Sequence, residues 1–76
     1  MRQWFPCKRR EFIRRLIRIG FDGPFQGSRH QFMVYKNDRL TIPSNAEFSV
    51  PQLKMMIKEI EGILERKFSS LEWNNL

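Results

Sequence analysis

Apolar residues recur at helical spacing along residues 8–19. Phe12, Ile13, Leu16 and Ile17 stand at i, i+1, i+4 and i+5 and make one apolar face, which predicts an amphipathic helix. Pro6 suits the approach to that helix and Gly20 its C-terminal cap. The period then shortens. Phe21 to Gln26 carries Gly23-Pro24 and predicts an irregular edge strand, because proline is tolerated in sheets mainly at edges. Gly27-Ser28 predicts a turn. Arg29 to Tyr35 predicts a second strand, with His30, Phe32 and Val34 on one face and Arg29, Gln31, Met33 and Tyr35 on the other. Neither face is purely polar, so the pattern leaves open which one packs on the helices. Lys36-Asn37-Asp38 predicts a hairpin turn. Arg39 to Ile42 predicts a third strand, ended by Pro43, in which Leu40 and Ile42 alternate with Arg39 and Thr41.

Ser44 to Phe48 reads as a loop. Ser49-Val50-Pro51-Gln52 then carries the start signals of a second helix: serine as N-cap, proline in the first turn, and glutamine as capping-box partner. Leu53, Met56, Ile57, Ile60 and Leu64 line its apolar face, and the Met55-Met56 pair reads as core filler. An interior glycine costs about 1 kcal/mol relative to alanine, so the helix is expected to break at Gly62. Continuation through Leu64, Phe68 and Leu71 is the alternative. The tail from Ser69 to Leu76 carries Trp73, either docked on the body or frayed.

The expected fold class is α+β: helix, three-stranded antiparallel meander, helix, with both helices on one face of the sheet and the other face open. The 76 residues make one domain. At that size only about 60% of the unfolded surface is buried, which leaves little room for a cofactor cavity, and none is expected. Cys7 is the only cysteine and His30 the only histidine, so no Cys/His cluster exists to hold a metal. No apolar run is long enough to span a membrane, and the N-terminus lacks the apolar core of a signal peptide. The expectation is a soluble cytoplasmic protein.

Charge changes this picture. Residues 1–20 hold seven basic residues against Glu11 alone, while residues 21–76 hold equal numbers of both signs. The net charge of +6 thus belongs to one N-terminal element. Arg10, Arg14 and Arg18 run along one helix face, and like charges at that spacing repel by a few tenths of a kcal/mol per pair. A helix that tolerates this repulsion is suited to grip a polyanion, although a solvated face is the simpler reading.

The candidate chemistry gathers at Gly27-Ser28-Arg29-His30. A turn delivers one histidine to the start of a strand with an arginine beside it. Histidine moves protons near neutral pH, and arginine binds phosphate. On its own, a lone histidine is more often a hydrogen-bonded strand residue.

The set Lys8-Arg9-Arg10-Glu11-Phe12-Ile13, Leu16, Gly20-Phe21, Gly27-Ser28-Arg29-His30, Arg39-Leu40-Thr41-Ile42-Pro43 and Leu53, Ile57-Lys58, Gly62 resembles the HicA-type toxins. These are small bacterial mRNA-cleaving proteins with a double-stranded-RNA-binding-domain-like fold, paired with a HicB antitoxin. The resemblance covers residues 8–62 and leaves 63–76 as a C-terminal extension. It implies that His30 is catalytic, that cleavage is metal-independent, and that the partners are RNA and a HicB-like protein, with no DNA contact by the toxin alone. Gly27, Ser28, Arg29, Arg10, Arg14 and Arg18 are then the candidate substrate-binding residues. Two features depart from the family: the loop Ser44-Asn45-Ala46-Glu47 carries no second histidine, and the chain continues past Gly62.

RNA carries its own nucleophile, the 2′-hydroxyl, so a protein need only move two protons and stabilise the phosphorane. His30 can serve as base or acid, and Arg29, Arg14 or Arg18 can supply charge. The second proton falls to Tyr35, a lysine or water. Two other functions fit the same residues. One is a module that holds double-stranded RNA without cutting. The other is an interaction module whose basic helix meets an acidic antitoxin.

Overall fold

The computed structural model describes residues 3–76; Met1 and Arg2, one of the seven N-terminal cations, lie outside it. Eight elements follow in order: β1 (Cys7–Lys8), α1 (Arg9–Ile19), β2 (Asp22–Gln26), β3 (Gln31–Tyr35), β4 (Asp38–Ile42), β5 (Glu47–Phe48), α2 (Val50–Leu64) and α3 (Ser70–Asn74). The main sheet is the antiparallel meander β2-β3-β4, and β1 pairs with β5 in a separate two-stranded ribbon. The class is α+β, as the residue pattern implies. Among the described residues, no helix is long and apolar enough to cross a membrane.

The sheet's register decides its faces. Met33 pairs with Leu40 and Gln31 with Ile42. Met33, Leu40 and Ile42 are fully buried, in one cluster with Phe12 and Leu16 of α1 and Leu53, Met56, Ile57 and Ile60 of α2. The helices therefore cover the Met33 face. Phe32 pairs with Phe25 on one side and Thr41 on the other, and Val34 with Arg39, so these side chains share the open face. The turn between β3 and β4 is two residues long, Lys36-Asn37, and Lys36 takes the positive φ of 55° that such tight hairpins require. Asp38 is thus the first residue of β4 and not part of the turn.

Helix α1 buries Phe12 and Leu16, four residues apart, but leaves Ile17 51% exposed, so its apolar face is narrower than the spacing implies. It stops at Gly20, whose φ of 129° is open to glycine, and whose N–H donates to the carbonyls of Leu16 and Ile17. Ser49 caps α2 by accepting from the Gln52 N–H at 3.3 Å. The reciprocal half of that capping box is not made, because the Gln52 side chain donates to Asn45 Oδ1 instead. The helix does not break at Gly62. It runs on to Leu64 and ends with Glu65 in the left-handed region, since Gly62 is exposed and Ile60 and Leu64 hold the turns around it. Of the methionine pair only Met56 is core, and Met55 stands 69% exposed.

The tail is part of the core. Ser69 and Glu72 form a complete capping box that starts α3, and Trp73 is fully buried against Phe12, with ring centroids 5.4 Å apart. Arg15 lies over the same indole at 5.3 Å. The ribbon β1–β5 was hidden from the residue pattern because two-residue strands have no alternation to read. It pairs Cys7 with Phe48 and Lys8 with Glu47, and anchors the start of α1.

Candidate active site

Gly27, Ser28, Arg29 and His30 form the connection between β2 and β3. The Gly27 N–H donates to the His30 carbonyl at 3.0 Å and closes a tight bend. Only glycine fits here: a β-carbon on residue 27 would meet that carbonyl oxygen at 2.5 Å. The bend takes Arg29 and His30 out of the strand, which begins at Gln31. His30 therefore stands before β3, on its approach, and is exposed.

The bend opens onto a shallow hollow of about 300 Å³ lined by Gly27, Ser28, Arg29, His30, Phe32, Arg39 and Thr41. Its floor is the open sheet face. Arg39 lies over the Phe32 ring with its guanidinium carbon 4.0 Å from the centroid, and Phe25 stands beside Phe32 at 5.6 Å. Arg39 is the cation that motif reading missed. Its signal is the register: a two-residue turn with Tyr35 opposite Asp38 places Thr41 beside Phe32 and Arg39 beside Val34, on the His30 side of the sheet.

The helix arginines are elsewhere. None of Arg10, Arg14 and Arg18 lines the His30 hollow. Arg10 borders a separate depression with Lys8, Arg9, Ala46 and Glu47. Arg14 is engaged by Glu11 and by the Leu76 main-chain oxygen at 2.9 Å. The pairing with Glu11 holds that carboxyl below its usual range and raises Arg14 above its own. Arg18 is exposed in the last turn of α1, where a cation also suits the helix dipole. Arg9 is the helix residue that reaches the strands. Its Nε donates to the Pro43 carbonyl at 3.0 Å and its Nη2 to Gln31 Oε1, so it ties α1 to the start of β3.

Tyr35 stands at the other end of β3 from His30, paired with Asp38 and packed on Phe21 at 5.3 Å. Five residues of strand span about 16 Å, which removes Tyr35 as a proton donor at this site. Cys7 is buried, and burial pushes its thiol up, so it stays protonated and unreactive. Among the described residues no group of three or more His, Cys, Asp or Glu is placed to hold a metal ion.

No family model matches the chain, and no curated protein or solved structure matches it either. The site is therefore read from its own geometry. It offers one solvent-accessible imidazole, two guanidinium groups and two hydroxyls, Ser28 and Thr41, around a hollow on an aromatic floor. That set can exchange a proton with a bound group and neutralise an oxyanion beside it.

Proposed function

We propose that this chain is a HicA-type toxin: a metal-independent endoribonuclease that cleaves mRNA in the cytoplasm and is restrained by a HicB-like antitoxin. The observation that carries the reading is the hollow in which His30 stands with Arg29 and Arg39. A histidine alone would support no more than a surface residue. A histidine in one hollow with two arginines, on the exposed side of a sheet and beside a glycine that tolerates no β-carbon, has the parts of a phosphodiester-cleaving site.

The reaction follows from the substrate. The 2′-oxygen attacks the adjacent phosphorus, the P–O5′ bond breaks, and a 2′,3′-cyclic phosphate and a 5′-hydroxyl result. His30 takes the proton from the 2′-hydroxyl. Arg29 and Arg39 carry the charge that builds on the phosphorane. The leaving 5′-oxygen receives its proton from water, which has free access to so shallow a hollow. The basic face of α1, chiefly Arg10 and Arg18, guides the rest of the RNA. An acidic antitoxin laid over His30 and Phe32 shuts the site, because among the described residues no segment covers the exposed His30.

Expression in a bacterial host tests this reading. Wild type should arrest growth and fragment mRNA together, His30→Ala should do neither, and co-expression with the product of the neighbouring reading frame should restore growth. Growth arrest with intact RNA contradicts it.

A further inference from the structure

The open sheet face carries an aromatic surface that proton transfer does not use. Phe25 is 44% exposed, and what sets it apart is that it is part of a patch rather than a lone apolar side chain. It pairs across the sheet with Phe32, the two rings tilted by 36°. Arg39 covers the other part of this surface, its guanidinium resting over Phe32. The three side chains form a continuous π surface, and it begins where His30 stands, because Phe32 and Arg39 also line the His30 hollow. No core packing explains it, since the buried cluster lies on the Met33 face.

We infer that Phe25, Phe32 and Arg39 form a stacking platform for an unpaired nucleobase, so that the substrate at His30 is single-stranded RNA. The inference rests on the cleavage reading for the reaction but on the platform alone for the kind of strand bound. Two neighbouring phenyl rings, one of them covered by a guanidinium plane, offer π faces that accept the face of a base. Within a duplex, base faces are hidden by their neighbours and only edges and phosphates are presented. Charge favours the same occupant: two arginines line the hollow, and among the described residues no carboxylate does. A base on the platform would set its own phosphate over the hollow, one nucleotide step from the imidazole. The aromatic floor thus selects the strand and His30 acts on it. The basic helix face, remote from the hollow, adds affinity without reading pairing.

Binding to RNA that cannot be cut separates this claim from catalysis. An eight-nucleotide single strand, 2′-O-methylated throughout and carrying one 2-aminopurine, lacks the nucleophile but keeps its base faces. Wild type should quench the 2-aminopurine fluorescence as it binds. A blunt duplex of the same length should bind at least tenfold more weakly. Phe25→Leu with Phe32→Leu should lose the quench and weaken binding tenfold or more, since stacking contributes roughly 5- to 150-fold per base. Arg39→Lys keeps the charge and removes the plane, and should reduce the quench while thermal melting stays as in wild type. Equal affinity for duplex and single strand overturns the inference. So does wild-type binding by the phenylalanine variants, which would assign the surface to a protein partner. Quenching without cleavage of the unmodified strand supports the platform and contradicts the nuclease reading alone.

Discussion

Gly27 lies so close to His30 that the two residues fix one another's position. The Gly27 N–H donates to the His30 carbonyl, and the space a β-carbon would need is filled by that oxygen. Gly27 lines the hollow without a side chain and acts through the bend that it closes on His30, so its part is to position that residue. Gly27→Ala should shift the bend and lower cleavage at least tenfold with the sheet intact. The imidazole resonances of His30 should move in the same variant, which a loss of stability alone would not cause. Wild-type cleavage by Gly27→Ala would show that the bend does not set the imidazole.

The tail is predicted to be essential for folding. Trp73 is fully buried and packs on Phe12 and Arg15, although its Nε1 has no hydrogen-bond partner among the described residues. Trp73→Ala should cost about 3–5 kcal/mol, a large part of the 5–15 kcal/mol typical of a whole domain. Denaturant unfolding should show the midpoint falling steeply, and a chain cut after Phe68 should not fold. A cost near zero would mean that α3 is only laid against the surface.

Much of the fold was legible in the residues, and what was hidden has identifiable causes. The meander could be read because Leu40 and Ile42 alternate with Arg39 and Thr41 and because its turns are short. The covered face could not, since Phe32 and Val34 are as apolar as Met33. Only packing against the helices decides that Met33 goes in. Propensity alone points to a break at Gly62, but the packing of Ile60 and Leu64 outweighs a cost of about 1 kcal/mol. At the site, Gly27, Ser28, Arg29 and His30 were legible as a motif and are together in space. The stripe Arg10, Arg14 and Arg18 was legible as charge, but helical spacing cannot show that Glu11 and Leu76 already occupy Arg14.

That occupation makes the helix arginines unequal. Arg10→Gln with Arg18→Gln should reduce the salt slope of RNA binding by roughly 0.7 log units for each single-strand phosphate that is no longer neutralised. Arg14→Gln should change it less, because its guanidinium is already neutralised by Glu11. Salt titrations of affinity check both. A change for Arg14→Gln as large as half that of the double variant, the same per arginine, would contradict the assignment.

Acid should loosen α3 first. The Glu72 carboxylate accepts from the Ser69 N–H at 3.1 Å and pairs with Arg66, and these interactions hold it below its usual range. A carboxyl lowered on folding stabilises the native state above its unfolded pKa, about 4.3, and that contribution is lost as the pH falls through the lower folded value. Glu72→Gln should therefore be less stable than wild type near neutrality, and the gap should close in acid below the usual carboxylate range. Unfolding curves of the two proteins from pH 7 downward check the sign. A gap that widens in acid would contradict it.

If His30 moves the proton in RNA cleavage, the cleavage rate of purified His30→Ala on an unpaired RNA will show it. The hollow and its arginines survive this substitution, so binding should persist while the rate falls by about 10²–10⁴. Wild-type product should end in a 2′,3′-cyclic phosphate, as attack by the 2′-oxygen requires. Cleavage at an undiminished rate by folded His30→Ala protein would contradict the account, as would the absence of cleavage by wild type.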